Sequence, residues 1–278
     1  MKFKELENCE VIGDNVLIKG DCLEVMDRLI ELGVKVDAII TDPPYEKTRG
    51  RWDNLIPFDK MWERVDKLIK PKGAVVLFGN EPFSSALRMS NINEYKYDIK
   101  WVKNRATGFA NCNYRPMNKY EDILIFSKAN ASTGGKKNSM CYHPQGLIQS
   151  GKKKKNTSKR HGLIQNDTNN VGLNNKLMQD GSEYVQKFTN YPSNIAEFSV
   201  DSNYLHPTMK PLALIEYLIK TYTNEGETVL DFTSGSFTTS VASIRTNRKS
   251  IGIELDEGYY NIGVNRVKEE VKTNLRRN

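Results

Sequence analysis

The chain has 278 residues, 38% of them hydrophobic, with 41 Lys and Arg against 34 Asp and Glu, a net charge of +7. That fits one sizeable α/β domain with an inserted polar segment, while three histidines and four scattered cysteines (Cys9, Cys22, Cys112, Cys141) argue against a zinc site or a disulfide framework. The start has no signal-peptide core and no apolar run reaches membrane-spanning length, so a soluble, reduced, cytoplasmic protein is expected.

Residues 16–21 read as a strand ending in an acid, Asp21, and the helix predicted over 23–32 places Leu23, Met26 and Ile30 on one face. Val36–Thr41 is a second strand, stopped abruptly by Asp42-Pro43-Pro44-Tyr45. A helix around Met61, Val65 and Leu68 leads to a strand over 73–78. Tyr97, Ile99 and Trp101 alternate as a half-buried strand, and 123–126 follows as another. From about 129 to 194 periodicity disappears, and Asn, Lys, Gly and Ser dominate, as in a flexible linker. The later part returns to α/β: helix Leu212–Tyr222, strand Thr228–Asp231, helix Thr238–Arg245, strand 250–254 and helix 258–271. Alternating strands and helices favour a mostly parallel sheet covered on both faces.

Ligands of such sheets bind outside the carboxyl ends of the strands, where Asp42 and its prolines stand. Proline donates no hydrogen bond and holds the backbone, so Asp42 and the Pro43 carbonyl become fixed acceptors. Two acceptors beside a flat aromatic suit methylation of a nucleobase amino group, whose delocalised lone pair is a poor nucleophile. Accepting its N–H bonds draws that nitrogen toward tetrahedral geometry and stabilises the growing positive charge, while Tyr45 can stack on the base. A strand-ending turn is the plain alternative for the tetrapeptide. Glu254 ends its strand where one carboxylate can accept from both ribose hydroxyls. The turn Gly235-Ser236-Phe237 is not Gly-x-Gly-x-x-Gly, so a cofactor without a pyrophosphate fits better than a nicotinamide dinucleotide.

Three segments, Asp42 to Tyr45, His206-Pro207-Thr208-Met209-Lys210-Pro211 and 228–239, together resemble the β-class amino-methyltransferases of DNA, over about residues 16–267. The resemblance implies a Rossmann-like methyltransferase fold: a mostly parallel seven-stranded sheet with one antiparallel strand, circularly permuted, with an inserted target-recognition segment. It implies a catalytic half at 1–128, a basic, partly flexible insertion at 129–200 that orders on DNA, and a cofactor half at 201–278. S-adenosylmethionine is the implied cofactor. Asp21 matches the acid that meets its adenine amino group, beside the Cys22 backbone, although Asp21 could simply cap the following helix. Thr208 and Lys210 match the segment at its methionine end, where Lys210 could pair with the carboxylate or stay solvated. Asp231, Phe232, Gly235, Ser236, Thr238 and Thr239 match its strand and turn. Phe237 departs from the family: it stands where a second glycine is usual, and either lines the pocket with ordinary backbone or obstructs it.

On the DNA side, Arg49, Arg51 and Trp52 are candidates for a loop closing over the flipped base. Lys152, Lys153, Lys154 and Lys155, followed by Lys159 and Arg160, are candidates for phosphate contacts, with a solvated loop as the alternative. Phe109, Asn111, Asn113, Tyr114 and Arg115 form an aromatic and polar loop suited to base contacts, with core packing as the plainer expectation for Phe109 or Trp52 taken singly. Asp at the head of the tetrapeptide leans toward adenine; serine is commoner in cytosine amino-methylating relatives. A DNA-binding relative without catalysis is the alternative from another class. The resemblance implies DNA as partner in a bacterial or phage-infected cell, and admits a homodimer and a cognate restriction enzyme.

Overall fold

The computed structural model describes residues 3, 6–45, 55–132, 138–155, 183–201 and 209–276. In chain order the elements are β1 (Cys9–Ile12), β2 (Asn15–Lys19), α1 (Cys22–Glu31), β3 (Val36–Thr41), α2 (Phe58–Leu68), β4 (Ile69–Gly79), α3 (Phe83–Ser90), β5 (Tyr95–Thr107) and β6 (Asn118–Phe126). They continue with β7 (Ile148–Lys155), β8 (Glu183–Thr189), β9 (Ile195–Glu197), α4 (Leu212–Tyr222), β10 (Thr228–Asp231), α5 (Thr238–Arg245), β11 (Lys249–Glu254) and α6 (Glu257–Leu275). The chain divides into two compact units, Met1–His143 with Asn194–Asn278, and Pro144–Ser193.

The larger unit is built on a sheet whose described strands run β1-β2-β11-β10-β3-β4-β6-β5-β9. From β2 to β5 this is the expected seven-stranded pattern, with β6 alone antiparallel to its neighbours. Two further strands extend it. β1 folds back on β2 through a two-residue turn in which Gly13 takes φ +60°, a conformation glycine adopts without a steric penalty. β9 pairs with β5 and comes from residues expected to belong to the insertion.

β3 is apolar on both sides because both of its faces are covered, the reason parallel strands read as continuous hydrophobic runs. Ile39 packs with Met26, Leu29, Met61 and Val65 of α1 and α2, whereas Ala38 and Ile40 pack with Ile215, Leu218 and Ile219 of α4. A third cluster joins Leu17 to Phe237, Val241, Val264 and Val267 under α5 and α6. Burial on α1 centres on Val25, Met26 and Leu29, one step round from the predicted stripe, with Leu23 and Ile30 half-buried at its margins.

The smaller unit holds an antiparallel ribbon, β7 with β8, in which Lys152, Lys153, Lys154 and Lys155 oppose Gln186, Val185, Tyr184 and Glu183. The basic run, read from sequence as loop, is therefore strand. Strand propensity there comes from β8, where Tyr184, Val185 and Phe188 supply the β-branched and aromatic residues. No described helix is long and apolar enough to cross a membrane.

Candidate active site

Four acids stand at one edge of the large sheet. Asp21 follows β2, Asp42 follows β3, Asp231 closes β10 and Glu254 closes β11. These strands are adjacent and parallel, so all four carboxyls reach the same carboxyl-end crevice, where open α/β sheets bind ligands. A cavity of about 1280 Å³ lies there, lined by all four. That exceeds the roughly 300–1,000 Å³ typical of a single small-molecule site and leaves room for two occupants.

At one end, Glu254 is held by two backbone donors: Gly235 N to Oε2 at 2.7 Å and Asp256 N to Oε1 at 2.8 Å. Each oxygen keeps a lone pair for a diol. Burial, against the pull of those two amides, pushes the Glu254 carboxyl up to about 7. Asp21 accepts from Leu23 N at 2.8 Å and Glu24 N at 3.2 Å through Oδ1, so it caps α1 as well as lining the cavity. Burial pushes the adjacent Cys22 thiol up to about 12, which leaves it an apolar wall rather than a nucleophile.

Asp231 organises the turn between the two ends. It accepts from Thr41 Oγ1 at 2.7 Å, Thr239 Oγ1 at 2.6 Å and Thr233 N at 3.2 Å, and burial raises it to about 6 despite these donors. Thr233 Oγ1 also donates to the Asp42 carbonyl at 3.0 Å. The end of β3 and the turn after β10 are thus tied by hydroxyls across 190 and 191 positions of chain. Arg266 on α6 clamps the same turn, donating to the Ser236 carbonyl at 3.1 Å and Thr238 Oγ1 at 2.9 Å.

At the other end, Asp42 is held on both oxygens. Tyr45 Oη donates to Oδ1 and Lys210 Nζ to Oδ2. Lys210 also lies 3.3 Å from Glu121, whose other oxygen receives Lys103. Burial drives the Asp42 carboxyl upward, Lys210 pulls it back, and Glu121 adds to the rise. Burial works against the Lys210 ammonium too, but Asp42 and Glu121 outweigh it and hold its pKa above the ordinary lysine value. Tyr45 packs its ring on Phe83, centroids 4.7 Å apart and planes 37° off parallel.

Of the residues singled out by sequence, Asp21, Cys22, Asp42, Pro43, Pro44, Tyr45, Lys210, Asp231, Phe232, Gly235, Ser236, Thr238, Thr239 and Glu254 all line this cavity. Two are placed differently from expectation. Lys210 is paired with Asp42 and Glu121, because a buried ammonium takes the nearest carboxylates. Phe237 is not among the lining residues; its ring is fully buried with Val241 and Val264, and its backbone is left-handed at φ 58°, ψ 39° rather than ordinary. Arg49, Arg51, Trp52, Lys159, Arg160 and Thr208 lie outside the described residues. Lys152, Lys153, Lys154 and Lys155 belong to the ribbon of the smaller unit, where the first three are exposed. Thr41, Thr233, Glu121, Lys103 and Arg266 were not anticipated. Thr41 alone gave a hint, as the polar end of an otherwise apolar strand.

A model of the DNA methylase family matches residues 36–265 of the chain. The chain is 27% identical over 263 residues to the DNA adenine methyltransferase YhdJ of Escherichia coli strain K12, covering 90% of this chain and 82% of that one. It is also 27% identical over 279 residues to the type II methyltransferase M.HpaI of Haemophilus parainfluenzae, covering 92% and 75%. Among solved structures, the M1.HpyAVI–SAM complex superposes with a TM-score of 0.57 at 26% identity, covering 90% of this chain and 98% of that one. The PvuII DNA methyltransferase (cytosine-N4-specific) gives 0.62 at 17% identity over 95% and 92%, a likeness of fold.

Proposed function

We propose that this chain, which belongs to the DNA methylase family, transfers a methyl group from S-adenosylmethionine to the exocyclic amino group of adenine in DNA. The observation that carries this reading is one cavity with two differently equipped ends. A carboxylate suited to a ribose diol, Glu254, shares it with a buried acceptor, Asp42, fixed by Pro43 and by its own hydrogen bonds. The first end fits the cofactor: it offers an acid for the ribose and Asp21 for an adenine amino group, without a pyrophosphate cradle. Bound there, the cofactor supplies an electrophilic methyl group on sulfur.

The chain's own residues do the rest. The Asp42 carboxylate and the Pro43 carbonyl accept from the target amino group and stabilise charge as it develops on nitrogen, where preorganised acceptors are most effective. Asp42 then holds the proton that the methylated amine releases. Asp at this position and the adenine named for YhdJ both favour adenine over cytosine. The target nucleotide must leave the stack to reach the cavity, at a cost of about a few kcal/mol. We assign offsetting phosphate contacts to Lys152, Lys153, Lys154 and Lys155, and target recognition to the segment 129–200. The catalytic strand β3 precedes the cofactor strand β10, the order of a circularly permuted methyltransferase. The setting is the cytoplasm, and the family resemblance admits a homodimer and a cognate restriction enzyme.

The test is expression in a host without DNA methylation, followed by modification-sensitive sequencing of its genome. Methylated adenine within a fixed sequence is the expected result. Methylated cytosine amino groups would replace adenine in this reading, and an unmodified genome would leave a DNA-binding protein without catalysis.

A further inference from the structure

β5 and β6 continue past the sheet as an arm. Every residue from Thr107 to Tyr120 is exposed, so solvent reaches both faces. The arm nevertheless carries Phe109 at 77% exposure, Tyr114 at 89% and Tyr120 at 45%. Aromatic rings are the side chains with most to gain from a partner, since each can bury about 150–250 Å². The tip is a built structure: Gly108 at φ +90° starts a short 3-10 turn over Phe109–Asn111, closed by Asn111 N to the Gly108 carbonyl at 3.0 Å and Arg115 N to the Asn111 carbonyl at 3.0 Å.

Its base belongs to the candidate active site. Val102 opposes Tyr120 and Thr107 opposes Asn118, so Lys103, Asn104, Arg105 and Ala106 bulge against the single Lys119. All four bulged residues and Thr107 line the cavity. Bulges beside active sites re-aim side chains in this way. Asn118 Nδ2 donates to Asn80 Oδ1 at 3.0 Å, which fastens the arm to the cavity wall. From Lys103 to Tyr120 the sequence holds Lys103, Arg105, Arg115 and Lys119 and no acid. The partner is therefore polyanionic outside and offers flat apolar faces inside.

We propose that this arm is the wedge that enters the duplex as the target nucleotide leaves it, with Phe109 and Tyr114 stacking in the vacated space and Arg105, Arg115 and Lys119 on flanking phosphates. The inference rests on the methyltransferase reading above. Stacking replaces part of what unpairing costs, and it serves any neighbouring base because every base has a flat face. The wedge is then needed only where the target is paired.

The test compares wild type with the double variant F109A/Y114A on two duplexes carrying the methylated sequence. One duplex is fully paired, and in the other an abasic site stands opposite the target base. The variant is expected to lose about thirtyfold in kcat/KM on the paired duplex, the scale of one or two lost stacks, and to stay within about threefold of wild type on the unpaired target. Phe109→Trp, which keeps a stacking surface, is expected to retain activity on both. Equal loss on both duplexes, or no loss on either, overturns the wedge while leaving the enzyme reading intact. A variant whose mass by light scattering differs from that of wild type makes the arm a subunit contact and also overturns it. Wild type inactive on both duplexes overturns the methyltransferase reading and the wedge together.

Discussion

Lys210 reaches Asp42 across 168 positions of chain and caps the proposed base acceptor with a buried cation. Left as a simple pair, this contact would oppose catalysis, since protonating Asp42 would strand an uncompensated ammonium in the cavity wall. Glu121, 3.3 Å from Lys210, removes that difficulty by remaining as counter-ion when Asp42 takes a proton.

The two neighbours should therefore move the acid limb of the pH–rate profile in opposite directions. Glu121→Gln removes a negative neighbour and leaves Lys210 pulling on Asp42 alone, so the limb should shift to lower pH. Lys210→Met removes the cation that holds Asp42 down, so the limb should shift to higher pH. Single-turnover methyl transfer at saturating DNA and cofactor measures both. Shifts of the same sign would refute the counter-ion account.

Asp42→Ala should lower methyl transfer by at least about a hundredfold, because it deletes an acceptor aimed at developing charge. Cofactor binding, measured by calorimetry, should persist within a few-fold, since Glu254 and Asp21 are untouched. Near-normal turnover in this variant would move the chemistry elsewhere.

Cofactor affinity should depend on pH through Glu254. Its carboxyl, raised to about 7 by burial, is largely protonated at pH 6, whereas hydroxyl donors from a ribose favour the ionised form. Binding then lowers the pKa and releases a proton. Affinity should rise with pH below about 7 and level off above it, with a slope of no more than tenfold per pH unit. Titrations at pH 6 and pH 8 measure this, and Glu254→Gln should bind more weakly with a flat profile. The stability term has its own sign: a carboxyl raised on folding makes stability fall from the ordinary glutamate pKa near 4.5 up to about 7, then level.

Replacing Lys152, Lys153 and Lys154 with Ala should weaken DNA binding and lower the salt slope by about one unit per lost phosphate contact. Successive side chains alternate across a strand, so Lys152 and Lys154 share one face of the ribbon and Lys153 takes the other. A backbone groove passing one face should register two contacts from Lys152 and Lys154 and little from Lys153. Binding isotherms of the single variants at several salt concentrations would show it, and three equal effects would mean that both faces touch phosphate.

What the sequence disclosed about this fold is mostly what local chemistry determines. The stop at Asp42-Pro43-Pro44, the acid just past β2, the acid that closes β11, and the alternation of strand and helix are read within a dozen residues. The partners of those acids are not local. Thr41 reaches Asp231 across 190 positions and Thr233 reaches the Asp42 carbonyl across 191, Arg266 reaches the Ser236 turn from α6, and Glu121 gave no sign in an ordinary strand. The ribbon at Lys152 was hidden for a different reason: four lysines are poor strand formers, and the pairing comes from β8, about thirty residues later.

Phe237 shows how a departure from a family pattern is absorbed. A Cβ on Gly263 would stand 2.1 Å from its ring and one on Gly252 2.6 Å away, so those two glycines leave the space the ring fills. A phenylalanine at φ 58° carries backbone strain of about 1–3 kcal/mol, while losing a buried phenylalanine ring to alanine costs about 3–5 kcal/mol. Burial wins, which explains why the ring tolerates the left-handed turn. Phe237→Ala should lose the ring and keep the strain, and so be destabilised by about 3–5 kcal/mol in denaturant melts. Phe237→Gly should lose the ring but relieve the strain, and be less destabilised than alanine by about 1 kcal/mol. Gly263→Ala should be harmful in wild type and close to harmless in Phe237→Gly, since the clash partner is gone, a non-additivity that a double-mutant cycle measures. Because the ring faces α6 and not the cavity, cofactor affinity in Phe237→Gly should stay within about tenfold, or 1.4 kcal/mol, of wild type. If wild type binds no S-adenosylmethionine and the glycine variant does, Phe237 obstructs the site, and the turn in solution is not the one described.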